Sequence, residues 1–400
     1  MSEDPGRPSV LMVCTRDIPA QSESGRERTM AFIRRSLEEQ GDVRFMRLHS
    51  LLERRSGRRL LSVTVALMGG VLRGRPLPLQ ALLFHDPRAA RELEAEVRRT
   101  HPDAVYFDGV RSGSLATSLR AHCPQLTIVC DFDDLMSRRM KVLAASRQPI
   151  SMGYLRKLVP AWVQRHVLDG FVARGIQAYE WRALRSLERR IAAACDAVVL
   201  VSSVDASHAR EQMPAASVAV IPPYMAAPRA AAPLGSVERF VFIGSDSLLQ
   251  NRQAIDYLVG LWARVRPATP LHVYGKQSAT RVETPGVKFR GFIEDVAQAY
   301  QPGSVLLAPS FLSGGVKTKV LEAMSFGVIP LGTEITFEGI DADCRALTAT
   351  PEQLEDWVAD PARWCATWRE QGGTVIAKVA ISHSERLLGQ RWRETVWPPA

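Results

Sequence analysis

Short, almost wholly apolar runs alternate with helix-patterned stretches down this chain, and that alternation restricts its fold more than any other feature. "SVLMVC" (9–14) is a run suited to a strand buried on both faces, followed by a predicted loop "TRDIPAQSESGRER" (15–28). "RTMAFIRRSLEEQG" (28–41) reads as a helix stopped by Gly41, and "DVRFMRL" (42–48) as the next strand. Strand, helix and strand at this spacing form a βαβ unit. "DAVYFD" (103–108), "LTIVCDFDD" (126–134), "DAVVLVSS" (196–203) and "SVAVIPP" (217–223) continue the series, with a long arginine-rich helix expected over 175–194. A small, proline-rich stretch, "YMAAPRAAAPLG" (224–235), then interrupts it as a linker.

After the linker the pattern restarts. "RFVFIGS" (239–245), "LHVYGK" (271–276), "VKFRGF" (287–292), "SVLLAPS" (304–310) and "GVIPLG" (327–332) read as strands, and "NRQAIDYLVGLWARV" (251–265) as a helix. The expected fold is α/β with two doubly wound, Rossmann-like domains, which bind ligands at the carboxyl ends of their strands and here would face a cleft. The expected limits are 1–224 for the first domain, 225–235 for the linker and 236–385 for the second domain. A C-terminal helix (386–400) is expected to return to the first. A chain of 400 residues exceeds what one hydrophobic core ordinarily covers.

Composition narrows the class. An apolar content of 46% and 7% aromatic residues are ordinary globular values. The most apolar stretch, "LLSVTVALMGGVL" (60–72), is shorter than the about 18 residues of a membrane span. The polar start "MSEDPGRPS" lacks an apolar signal core, so the expected location is cytoplasmic. Six scattered cysteines without a C-x-x-C pair read as reduced packing residues. The net charge of +9 is lopsided: residues 1–225 hold 33 Lys+Arg against 24 Asp+Glu, and residues 226–400 hold 18 against 18. Residues 138–190 alone carry 12 basic and 3 acidic side chains. No aromatic-rich strand or recognition-helix pattern accompanies them, so nucleic acid is not the expected partner. An anionic acceptor or an anionic membrane surface is. "SMGYLRKLVPAWVQRHVLDGFVARG" (151–175) mixes aromatic and basic residues as an interfacial segment does, although Pro160 interrupts a single helix.

Function is concentrated in "GGVKTKVLEA" (314–323), between the strand "SVLLAPS" and a helix expected to run from Val316 to Gly327. Glycines where a strand becomes a helix admit a ligand to the backbone, and free N–H groups with the helix dipole attract an anion. Lys317 and Lys319 add positive charge beside a diphosphate. Glu322 lies seven residues past Gly315, about 10 Å along the axis at about 1.5 Å per residue. A carboxylate there accepts hydrogen bonds from ribose while the glycines hold phosphate. A sugar nucleotide supplies both groups.

The stretch "APSFLSGGVKTKVLEAMSFGVIPLGTEITFEGI" (308–340) resembles the donor-site signature of the family-four glycosyltransferases, GT-B enzymes that transfer a sugar from a nucleotide donor. The resemblance continues in "FIGSDSLLQNRQAIDYLVGLW" (242–262), "VKFRGFIED" (287–295), "ERRIAAACDAVVLVSSVDA" (188–206) and "IPAQSESGRERTMAFIRRSLEEQGDV" (18–43). It implies that Glu322 binds the donor ribose, that Gly314, Gly315, Val316, Lys317 and Lys319 surround the diphosphate, and that Gly291 and Phe292 border the base. Gly244 and Ser245 join the donor set, and Gly25 approaches it from the first domain. Asp133 and Lys319 are the catalytic candidates, Asp134, Arg138 and Arg139 the acceptor-side candidates. The implied donor is UDP- or GDP-linked, the acceptor a hydroxyl, free or lipid-linked, and the outcome retention, with neither cofactor nor metal. Two positions depart from the pattern: many members carry a glutamate where this chain has Gly314, and a histidine where it has Asp133.

Other constellations carry less. Closely spaced aspartates, as in "DFDD" (131–134), hold magnesium or manganese in other transferase folds, and equally cap a strand end. The histidines, His166 and His208 among them, show no zinc spacing. "SSVDASHARE" (202–211) lacks a G-x-S-x-G elbow and reads as a helix start capped by Ser203 or Asp205. The favoured reading is a glycosyltransferase of cell-surface polysaccharide or glycolipid synthesis. Its rivals are a natural-product tailoring transferase, a sugar-nucleotide epimerase or hydrolase, and a catalytically silent partner.

Overall fold

The computed structural model describes residues 6–18, 25–50, 69–70, 74–84, 87–145, 171–229, 235–278 and 283–399. His166 and most of the apolar stretch 60–72 and of the interfacial candidate 151–175 lie outside the described residues. So does part of the proline-rich segment, 230–234. Backbone contacts divide the chain into two compact units, Met1–Ile221 with Gly389–Ala400, and Pro222–Leu388.

The first unit is built on a parallel sheet of β1 (Ser9–Cys14), β2 (Asp42–Arg47), β3 (Ala104–Asp108), β4 (Thr127–Asp133), β5 (Ala197–Leu200) and β6 (Val218–Val220), in the order β2-β1-β3-β4-β5-β6. Parallel strands are covered on both faces, which is why β1 and β3 are nearly continuous apolar runs with every residue of β3 buried. The edge strand β2 is less covered and leaves Phe45 36% exposed. Helix α1 (Gly25–Glu38) begins three residues earlier than the sequence suggests, so Gly25 and Arg26 belong to its first turn and not to the loop. Helices α2 (Met136–Ala145), α3 (Phe171–Ala194) and α4 (Ser203–Gln212) follow. Ser202, not Ser203 or Asp205, caps α4: its side chain accepts from Val204 N at 3.2 Å and Asp205 N at 3.5 Å.

In the second unit the strands are β7 (Arg239–Ile243), β8 (Leu271–Tyr274), β9 (Val287–Gly291), β10 (Ser304–Leu307) and β11 (Pro330–Leu331). They form a parallel sheet in the order β11-β10-β7-β8-β9. Helix α5 (Leu249–Val265) buries Ala254, Ile255, Leu258, Leu261 and Trp262, the i, i+3/i+4, i+7 stripe of a core-facing helix. Helix α6 (Thr318–Ser325) is shorter than expected, with Lys317 at its N-cap position and Phe326 at its C-cap. Helix α7 (Pro361–Ser382) buries Trp368, Val375 and Val379. Of helix α8 (Glu385–Val396), Trp392 belongs to the first unit, where its ring meets Tyr106 edge-on at 5.8 Å. Among the described residues no helix is long and apolar enough to cross a membrane.

The polar centre of the first unit is Arg26. Its Nη2 donates to Asp108 Oδ1 and, at 2.8 Å, to Asp131 Oδ2, while Nε reaches Asp108 Oδ1 at 3.1 Å. Asp108 ends β3 and Asp131 lies in β4; both are buried. Tyr106 donates its hydroxyl to Asp131 Oδ2 at 2.8 Å. Burial pushes the Asp131 carboxyl above its ordinary range, and Arg26 opposes that push. Removing one partner of such a buried cluster leaves uncompensated charge, a loss of about 3–5 kcal/mol. Arg26→Met is therefore expected to cost about that much in urea unfolding. Arg34→Met, which breaks only the exposed pair of Arg34 with Glu38, should cost under about 1 kcal/mol.

Candidate active site

Parallel strands deliver their loops to one edge, and in the second unit the donor-side candidates gather there. Gly244 and Ser245 follow β7, Gly291 ends β9 with Phe292 after it, and Gly314, Gly315, Val316 and Lys317 lie between β10 and α6. Gly275, after β8, ties the first two groups: its N–H donates to Gly291 O at 2.7 Å, and a Cβ on it would stand 2.6 Å from Gly244 O. Phe292 is 60% exposed, with Lys276 Nζ 5.0 Å from its ring centre. An exposed ring at a strand end is a surface on which a planar base stacks.

Gly244 is required by close approach. A Cβ there would stand 2.6 Å from the side chain of Asn251, in the first turn of α5. Asn251 is the residue that joins the edge together. Its Nδ2 donates to Ser245 O at 3.0 Å, and its Oδ1 accepts from Lys319 Nζ at 2.8 Å. Lys319 Nζ also sits 4.2 Å from the Phe242 ring centre. Burial, then the charge of Lys317, lowers the Lys319 pKa to about 7, with Glu322 acting in the opposite sense. Lys319 and Glu322 are three residues apart on α6 and share a face.

The glycine loop differs from its expected state in one respect. Gly314 and Gly315 adopt φ of +130° and +62°, values that side chains disfavour. The Gly314 N–H, expected to be free for an anion, donates to Glu338 Oε2 at 3.3 Å. Ser313 Oγ donates to the same carboxylate at 2.6–2.7 Å. Lys317 Nζ turns onto the loop itself and donates to Gly314 O at 3.1 Å and Gly315 O at 3.3 Å. A carboxylate and an ammonium thus brace the loop from either side.

In the first unit the structure gathers Gly25, Arg26 and Asp133 at the carboxyl ends of its strands. Asp133, at φ +65° and with its side chain 43% exposed, takes a contact of 3.5 Å from Arg26 Nη1, and its N–H donates to Asp131 Oδ1 at 2.9 Å. The acceptor-side candidates are drawn into internal pairs: Arg138 Nη1 donates to Asp205 Oδ1 at 2.8 Å, and Arg139 pairs with the buried Asp134. Among the described residues no group of three His, Cys, Asp or Glu is arranged to hold a metal, and the "DFDD" carboxylates face arginines. His208 lies beside Glu211 at 3.7 Å on the surface of α4.

Asn251, Glu338 and Arg26 were not singled out from the sequence. The available signals were a polar side chain on the buried face of α5, a carboxylate just before Gly339, and an arginine directly after Gly25.

The family model described as "Glycosyl transferases group 1" matches residues 237–363. No curated protein matches the chain. Among solved structures it is similar to sucrose-phosphate synthase from Thermosynechococcus elongatus, at 15% identity and TM-score 0.63 over 96% of this chain and 97% of that one. It is also similar to Anabaena HepE in complex with UDP, at 11% identity and TM-score 0.60 over 97% and 99%. A third is trehalose-6-phosphate synthase OtsA, at 10% identity and TM-score 0.59 over 98% and 99%. These likenesses show the fold, the GT-B arrangement of two parallel-sheet α/β domains.

Two outcomes follow from the site's geometry. Glu338→Ala removes the acceptor of Ser313 Oγ and Gly314 N, and the loss of about 1–2 kcal/mol of local stability should speed Gly314 amide exchange about tenfold. Lys319 carries its proton below pH 7 in both folded and unfolded chains, and between about 7 and its ordinary lysine value the unfolded chain binds more protons. Wild-type stability should therefore rise with pH through that window, and Lys319→Met should abolish the rise in urea midpoints at pH 6, 8 and 9.5.

Proposed function

From the group 1 glycosyltransferase match of the second unit, we propose that this chain transfers a sugar from a nucleotide-sugar donor to a hydroxyl acceptor. The observation that carries this reading is the edge formed by Gly244, Asn251, Lys319 and the Gly314–Lys317 loop, with Glu322 one helical turn beyond Lys319. It offers a diphosphate two lysines, a glycine backbone and the amino end of α6, and offers ribose a carboxylate. Phe292 is the stacking surface for a uracil or guanine base. A nucleoside diphosphate departs most easily where its growing charge meets preorganised donors. Lys319, near neutrality when alone, takes up a proton as that charge arrives.

The reaction in this reading proceeds with retention and without a metal, in keeping with the resemblance of 308–340 to the family-four donor signature. By the same resemblance Asp133 is the candidate for contacting the transferred sugar, and the acceptor belongs to cell-surface polysaccharide or glycolipid synthesis. One observation favours a second reading, a silent donor- or glycan-binding partner: the Gly314 N–H is occupied by Glu338. Turnover by the purified chain separates the two.

The decisive experiment is a thermal-shift panel of UDP- and GDP-sugars, since a ligand bound by the folded state raises its melting temperature by mass action. Whichever donor responds, Glu322→Ala should weaken it about 10- to 100-fold, the worth of one or two hydrogen bonds to a charged group. Lys319→Ala should lower turnover more than Lys317→Ala. A panel without a response, or an unchanged donor affinity in Glu322→Ala, overturns the assignment of this site.

A further inference from the structure

One face of α3 is a run of arginines. Arg182, Arg185 and Arg189 are exposed at i, i+3 and i+7, Arg190 is half-buried beside them, and Arg75 approaches from the segment before β3. With Trp181 they line a groove of about 520 Å³ within the first unit, a volume in the range of small-ligand sites.

The two glutamates of α3 do not balance these charges, because both turn inward. Glu180 accepts from Leu79 N at 2.7 Å and Gln80 Nε2 at 3.2 Å. Glu188 accepts from Ser137 N at 2.9 Å and Gln212 Nε2 at 3.0 Å. Among the described residues none of the five guanidinium groups pairs with a carboxylate. Backbone carbonyls hold several of them instead. Arg190 donates to Pro76 O at 3.2 Å and Ser186 O at 3.4 Å, Arg189 to Gln212 O at 3.0 Å and Arg182 to Ala178 O at 3.2 Å. The Arg182 guanidinium also lies 4.9 Å from the Trp181 ring centre. Burial and the nearby charge of Arg75 both work against the charged form of Arg190.

Like charges crowded on one wall repel, and an anion relieves that repulsion. A guanidinium anchored through some of its N–H groups presents the rest as a fixed fork, which fits phosphate oxygens in pairs. A lone carboxylate would balance one of five cations, whereas two or more phosphates match both their number and their donors. We propose that the groove lined by Arg75, Arg182, Arg185, Arg189 and Arg190 binds a ligand bearing two or more phosphate groups, presented by a soluble phosphorylated molecule or by clustered phospholipid headgroups. This site is separate from the glycine loop and does not depend on the donor reading.

The test compares wild type with Arg182→Ser/Arg185→Ser in the groove and Lys317→Ala in the glycine loop. Arg91→Ser/Arg98→Ser, on the exposed side of the helix Pro87–Thr100, serves as a control of equal charge. Pyrophosphate binding is measured by calorimetry, and vesicle capture by flotation with phosphatidylglycerol or phosphatidylcholine. The groove variant should bind pyrophosphate at least about tenfold more weakly, and the Arg91→Ser/Arg98→Ser control within about twofold of wild type, while any loss in Lys317→Ala reports the glycine loop alone. Salt-sensitive capture by phosphatidylglycerol alone, lost in the groove variant, assigns the phosphates to a lipid surface. Pyrophosphate binding without capture assigns them to a soluble molecule. Absence of both kinds of binding in wild type, an equal loss in the control, or a loss confined to Lys317→Ala overturns the proposal.

Discussion

Arg26 meets a problem that every parallel sheet creates. Strands running the same way bring their carboxyl ends to one edge, and in the first unit β3 and β4 bring Asp108, Asp131 and Asp133 there. Three carboxylates at that spacing would repel one another, and two of them are buried. One guanidinium from the first turn of α1 reaches all three, and the positive end of the α1 dipole lies on the same side. The order of the helix start, the strand ends and the left-handed turn at Asp133 rests on that contact. Asp133, the most exposed of the three, remains open to a ligand while its partners are fixed.

The second unit meets the same edge with the opposite charge pattern. The half-buried Lys319 is held by an amide oxygen and an aromatic face rather than by a carboxylate. A full carboxylate partner would fix its charge and leave less positive potential for a diphosphate. Glu338 supplies negative charge a short way off, on the loop, where it holds Ser313 and Gly314. The loop is therefore preorganised from both sides, by a carboxylate on the amide and an ammonium on the carbonyls.

The elements of both sheets were legible because the central strands are short, mostly apolar runs and the turns fall at glycine, proline or polar clusters. Helix boundaries were less so. The local pattern placed Gly25 and Arg26 in a loop, and only a carboxylate 82 residues away explains why Arg26 is helical and buried. In the site, Gly314, Gly315, Lys319 and Glu322 were legible because they fall within one strand-to-helix turn. Asn251 and Glu338 were not: their partners lie 68 and 24 residues away, and neither spacing nor residue type announces such contacts. Arg138 and Arg139 read as a basic surface because sequence counts charges without pairing them.

That pairing changes what the net charge of +9 means. Taken as a count, the first half of the chain is diffusely basic. In the fold, Arg26, Arg138, Arg139 and Arg120 are each matched by a carboxylate of the same unit and add little to its outer field. Among the described residues Arg182, Arg185, Arg189 and Arg190 of α3 are not matched by a carboxylate, because the helix spends its two glutamates on backbone and amide donors in the interior. Charge that is evenly spread steers any anion weakly, whereas charge left over on one wall selects an anion of matching shape. Part of the excess that composition reports for the whole chain is thus gathered, among the described residues, on one helix face.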